Sequence, residues 1–111
     1  MTLLSWLTGK MSILQETKLL LRRHRIFPNK LLGQNFLIEQ SILQLVVDYA
    51  SLELEDVVLD VGAGFGYLTR LLAEKCSSVL AIEYDRQIAE VLRAQLNEVH
   101  NIRLIEGDVL K

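Results

Sequence analysis

The stretch LDVGAGFGYLTRLL, Leu59 to Leu72, constrains this chain more than any other, because it spaces Gly62, Gly64 and Gly66 at alternate positions. The residues before the glycines, VVLDV (Val57 to Val61), are short, β-branched and apolar on both faces, as a buried parallel strand should be. From Tyr67 the pattern turns helical. Glycine accepts positive φ and carries no Cβ, so such a loop lets another molecule lie against the backbone while the start of a helix faces it. A bare tight turn needs one or two glycines rather than three. The stretch therefore reads as strand, ligand loop and helix, the opening unit of an α/β sheet whose ligands sit beyond the carboxyl ends of the strands.

The rest of the chain extends that unit. Ser12 to about Ile26 reads as a helix with Ser12 and Gln15 as a capping box, Ile13, Leu20 and Leu21 on its apolar face, and Lys18, Arg22 and Arg25 off it. Pro28 stops it, and PNKLLGQNF follows as an ordered loop. A second helix spans about Glu39 to Ala50, with Ile42, Leu45, Val46 and Tyr49 at helical spacing. After the glycine loop come a strand at Val79 to Glu83, a helix from Arg86 to about Val99, and a third strand at Ile102 to Ile105 closed by Gly107 and Asp108. Helices followed by β-α-β-α-β predict an α/β fold with a parallel three-stranded sheet and right-handed crossovers. Three strands make half of a doubly wound sheet, so the expectation is a truncated, Rossmann-like domain. Residues 1–11 are expected to be a disordered leader with Met11 as initiator, 12–38 a basic helix and lid loop, and 39–111 the truncated ligand-binding domain.

Charge narrows the partners. Residues 1–40 carry six Lys/Arg against two acids, while 41–111 carry six against twelve. A basic N-terminal third on an acidic body points to an anionic partner near the N-terminus. The single cysteine, Cys76, excludes an internal disulfide and sits among small residues as structural filler, which fits a reducing, cytoplasmic setting. His24 and His100 lie far apart with no cysteine near them, so no metal site is expected. No run reaches the roughly 18 apolar residues of a membrane span.

The spacing of the glycines decides between ligands. A dinucleotide loop is G-x-G-x-x-G around a pyrophosphate, and the position it reserves for its last glycine is Tyr67 here. The observed D-x-G-x-G-x-G places Asp60 at the strand end, where a carboxylate repels phosphate and suits a cation. S-adenosylmethionine carries a sulfonium, an ammonium and no phosphate, and it is the expected cofactor. Glu83 ends the second strand, where a carboxylate can accept from both ribose hydroxyls, although nicotinamide enzymes use the same device. Asp108, after the third strand, is placed to accept from the adenine amino group. Tyr84 either covers an adenine face or merely packs, and Asp85 reads as the cap of the following helix.

LGQNFL (Leu32 to Leu37), DVGAGFGYLT, AIEYD (Ala81 to Asp85) and EGDVLK (Glu106 to Lys111), in this order, resemble the N-terminal part of the KsgA-like ribosomal RNA adenine dimethyltransferases. The resemblance runs from about Glu16 to the end, and LGQNFL is its most specific part; the basic lead-in ETKLLLRRHRIFPNK leans towards the archaeal branch. It implies the N-terminal half of a class I S-adenosylmethionine-dependent methyltransferase fold and transfer of two methyl groups to N6 of adenines in small-subunit rRNA. It also implies that Asn35 and Leu37 contact the cofactor from the lid loop, Gly62 and Gly64 lie under its methionine part, Glu83 binds the ribose and Asp108 meets the adenine. Asp60 stands where many members have Glu, and Ala63 where many have Pro. The family's Asn-x-Pro-aromatic grip on the target amine and its helical C-terminal domain do not occur in these 111 residues, so no catalytic residue is assigned and the chain alone is expected to be inactive. Two other readings compete: a nicotinamide-dependent oxidoreductase, disfavoured by Asp60 and Tyr67, and a non-catalytic RNA-binding or assembly module built on Arg22, Arg23 and Arg25.

Overall fold

A computed structural model describes residues 12–26 and 40–108. Its elements are α1 (Ile13–Arg23), α2 (Gln40–Ala50), β1 (Val57–Val61), α3 (Tyr67–Ala73), β2 (Ser78–Glu83), α4 (Arg86–Leu96) and β3 (Ile102–Glu106). The leader, Pro28 and the LGQNFL segment lie outside the described residues. The helix at 12–26 starts as its sequence dictates: the Ser12 hydroxyl accepts from the Gln15 N–H at 3.1 Å, and the Gln15 side chain accepts from the Ser12 N–H at 2.9 Å. That reciprocal cap satisfies two donors a bare helix start would leave unpaired.

The sheet runs β1-β2-β3, all parallel, with Asp60 opposite Ala81 and Glu83 opposite Glu106. This register brings the carboxyl ends of the three strands to one rim. Helix α3 packs on β2 and against α2, while α4 packs on β2 and β3. Between helices and sheet lies a core that includes Phe65, Leu71, Val79, Ile88, Val91 and Leu92, joined by Ile13 and Leu20 of α1. Among the described residues no helix is long and apolar enough to cross a membrane.

Two expectations about faces fail. In α2 the buried residues are Leu43 and Val47, whereas Ile42, Leu45, Val46 and Tyr49 are exposed, Tyr49 at 84%. The segment QSILQLVVDYA carries apolar residues on more than one side, and its partner α3 selects Leu43 and Val47. Likewise β1 is covered on one face only: Asp60 is buried and Val58 half-buried, but Val57, Leu59 and Val61 are exposed at 71%, 54% and 53%. A strand apolar on both sides buries both only where a layer lies on each.

Candidate functional site

The rim is built from the end of β1 upward. The N–H groups of Gly62 and Ala63 both donate to the Ile82 carbonyl, at 2.8 and 3.1 Å, which prolongs the pairing with β2 past the strand. Gly62, Gly64 and Gly66 all have positive φ, at 71°, 61° and 87°, alternating with ordinary residues. The left-handed conformation costs a residue with a Cβ about 1–2 kcal/mol, which explains the alternate spacing. Between them Phe65 is 1% exposed and plugs the loop into the core, a burial that contributes about 1.5–3 kcal/mol.

The three glycines do different work. A Cβ on Gly62 would meet nothing within 4 Å, so the backbone there is open to another molecule. A Cβ on Gly66 would stand 2.6 Å from Cδ1 of Leu92 and 3.1 Å from Cδ1 of Leu96, so this glycine lets α4 close on the loop. Gly64 is buried and donates its N–H to Oε1 of Glu83 at 2.9 Å. Tyr67 is filled for a separate reason. Its phenolic oxygen accepts from the Thr17 hydroxyl at 2.9 Å, a buried bond that fastens α1 to the start of α3. A glycine in that position would lose this anchor.

Each strand end presents an acid. Asp60 is 9% exposed, and its Oδ2 accepts from the Thr69 hydroxyl of α3 at 2.6 Å. Burial pushes its carboxyl above the usual range, and the Thr69 hydrogen bond opposes that. Glu83 is fully buried; besides Gly64 on Oε1, its Oε2 accepts from the Asp85 N–H at 3.0 Å. This side chain therefore staples the glycine loop to the end of β2, a role that spacing alone did not suggest. A ligand can reach this carboxylate only where the residues covering it move aside. The Gly107 N–H donates to the Glu83 carbonyl at 3.0 Å, which draws the turn carrying the exposed Asp108 to the same rim. Asn35 and Leu37 lie outside the described residues.

Beside Glu83, an open depression of about 490 Å³ is lined by Tyr84, Asp85, Arg86, Gln87 and Glu90. Asp85 caps α4 as its position predicts, accepting from the Ile88 N–H at 3.0 Å. Cys76 is buried, its thiol donates to the Leu72 carbonyl at 3.2 Å, and burial pushes its pKa up, which is the state of an inert structural thiol. Among the described residues no group of three or more His, Cys, Asp or Glu could hold a metal.

The family model for ribosomal RNA adenine dimethylase matches residues 27–111. The Ribosomal RNA small subunit methyltransferase A of Alkaliphilus metalliredigens is 42% identical over 96 residues, which cover 86% of this chain and 33% of the relative. This relative is bacterial, so the archaeal leaning of the basic lead-in gains no support. Among solved structures, the 23S rRNA methyltransferase ErmE superposes with a TM-score of 0.66 at 34% identity, over 69% of this chain and 32% of that one. A dimethyladenosine transferase from Plasmodium falciparum gives a TM-score of 0.64 at 26% identity, over 69% and 29%. The chain thus spans about a third of the length of the curated relatives it matches.

Proposed function

Because this chain belongs to the ribosomal RNA adenine dimethylase family, we propose that it is the cofactor-binding part of an S-adenosylmethionine-dependent enzyme that dimethylates adenine N6 in small-subunit ribosomal RNA, acting in the cytoplasm. The observation that carries this reading is the anionic rim around an open glycine. Asp60, Glu83 and Asp108 stand at or just beyond three neighbouring strand ends, Gly62 leaves its Cβ position empty, and no Lys or Arg occurs between Leu59 and Thr69. A pyrophosphate is poorly served there, and an ammonium is well served.

The cofactor supplies a methyl group activated on a sulfonium. The residues of this chain would bind and orient it: Asp60 towards the ammonium, Gly62 and Gly64 beneath the methionine part, Glu83 at the ribose hydroxyls and Asp108 at the adenine amino group. Asn35 and Leu37 would close over it from the lid loop. Direct displacement of a methyl group demands alignment of attacking nitrogen and departing sulfur rather than a covalent enzyme intermediate, so rigid seating of the cofactor is what this part contributes. Lys18, Arg22, Arg23 and Arg25 are exposed along and just beyond α1. They supply phosphate contacts to rRNA, since nothing in their spacing suits base reading.

Isothermal titration calorimetry of the chain with S-adenosylmethionine and with NAD tests the reading. Saturable binding of the first with none of the second is expected. A folded chain that binds NAD in preference would return the oxidoreductase reading.

A further inference from the structure

Thr69 is fully buried on α3, and its hydroxyl has one proton to give. A threonine within a helix usually returns that proton to the carbonyl one turn back. Here it goes across to Oδ2 of Asp60, at 2.6 Å. That separation lies in the range of a hydroxyl bonded to an ionised carboxylate, about 2.5–2.7 Å. The second oxygen of Asp60 has no hydrogen-bond partner among the described residues and is not sealed from solvent. Two residues on, Gly62 offers backbone with nothing within 4 Å of its Cβ position.

Resting on the cofactor reading above, we infer that Thr69 is a positioning residue, whose hydroxyl holds one oxygen of Asp60 so that the other faces the ammonium end of S-adenosylmethionine above Gly62. Without a donor on Oδ2, the carboxylate could rotate about its own bond, and nothing else observed would fix it. The same bond favours the ionised form of Asp60 against the effect of burial. Burial raises its pKa, and Thr69 is the group that opposes the rise. The other titratable residues on β2, which pairs with this strand, and on α3, which is bonded to it through Thr69, are Glu83, Tyr67 and Arg70, and none of them contributes resolvably to the shift on Asp60. A cationic ligand binds the ionised form, so affinity falls as pH drops through the pKa of Asp60 in the free chain. Removing the donor moves that fall to higher pH.

The test uses Thr69→Val, which keeps the shape and removes the hydroxyl, and Thr69→Ser, which restores it. One arm follows the Asp60 carboxyl carbon by ¹³C NMR titration of the free chain. Its midpoint should rise in the valine variant and return in the serine variant; equal midpoints in all three would overturn the hold of Thr69 on Asp60. The other arm measures S-adenosylmethionine affinity across pH. The valine variant should bind roughly tenfold more weakly or worse, with its loss at acid pH beginning earlier, and serine should rescue both. Identical affinities and pH profiles would overturn the positioning role while leaving the cofactor reading intact. A folded wild-type chain that binds no S-adenosylmethionine would overturn both.

Discussion

At the scale of single residues, Gly62 and Gly66 look alike in sequence and differ in consequence. Gly66→Ala sets a Cβ 2.6 Å from Leu92 while holding φ at 87°. Left-handed strain and overpacking add, so a loss of about 2–4 kcal/mol in a urea melt is expected. Gly62→Ala meets no atom, so it should cost only the left-handed penalty of about 1–2 kcal/mol yet weaken S-adenosylmethionine binding sharply. Equal effects of the two variants on stability would contradict this division of labour. Glu16 makes a second case. It is fully buried on α1, neither carboxylate oxygen has a hydrogen-bond partner among the described residues, and burial pushes its pKa up from 4.5 to about 7. The folded chain therefore holds a proton that the unfolded chain releases. Stability should be greatest below pH 4.5, as far as this group is concerned, and should fall as pH rises from there to about 7. The penalty at neutral pH is at most about 3 kcal/mol. Glu16→Gln should flatten that window in melts taken at several pH values; an unchanged pH dependence would rule Glu16 out as its source.

At the scale of elements, what could be read from sequence was local and what could not was a matter of partners. The order of helices and strands, the Ser12 and Asp85 caps and the glycine turn all follow from residues within one or two helical turns of each other, and all are found. The buried face of α2 is not legible locally, because Leu43 and Val47 compete with Ile42, Leu45, Val46 and Tyr49, and only the presence of α3 decides between them. The bonds Thr69–Asp60 and Gly64–Glu83 join residues 9 and 19 positions apart, through a fold no spacing rule encodes. Strand β1 carries the clearest consequence. It pairs only with β2 among the described residues, and it exposes Val57, Leu59 and Val61, with Ile105 of β3 exposed at 42%. An apolar sheet face beside an unpaired edge promotes association. Sedimentation of the 111-residue chain should show concentration-dependent self-association, and Leu59→Lys should reduce it. A wild-type chain that stays monomeric across concentrations would mean this face is tolerated as it stands.

At the scale of the whole molecule, the helices and the parallel sheet serve one rim. Burial of Phe65 and the Glu83 staple fix the glycine loop, α3 carries Thr69 to Asp60, and Gly107 ties the third strand end to the second. A cofactor is therefore expected at that rim and nowhere else. Mapping ¹H–¹⁵N amide shifts while S-adenosylmethionine is titrated into the chain tests this most directly. The largest changes are expected at Gly62, Gly64, Glu83, Asp85 and Asp108. Changes centred instead on the opposite end of the sheet, around Ser78, Asn101 and Ile102, would contradict it.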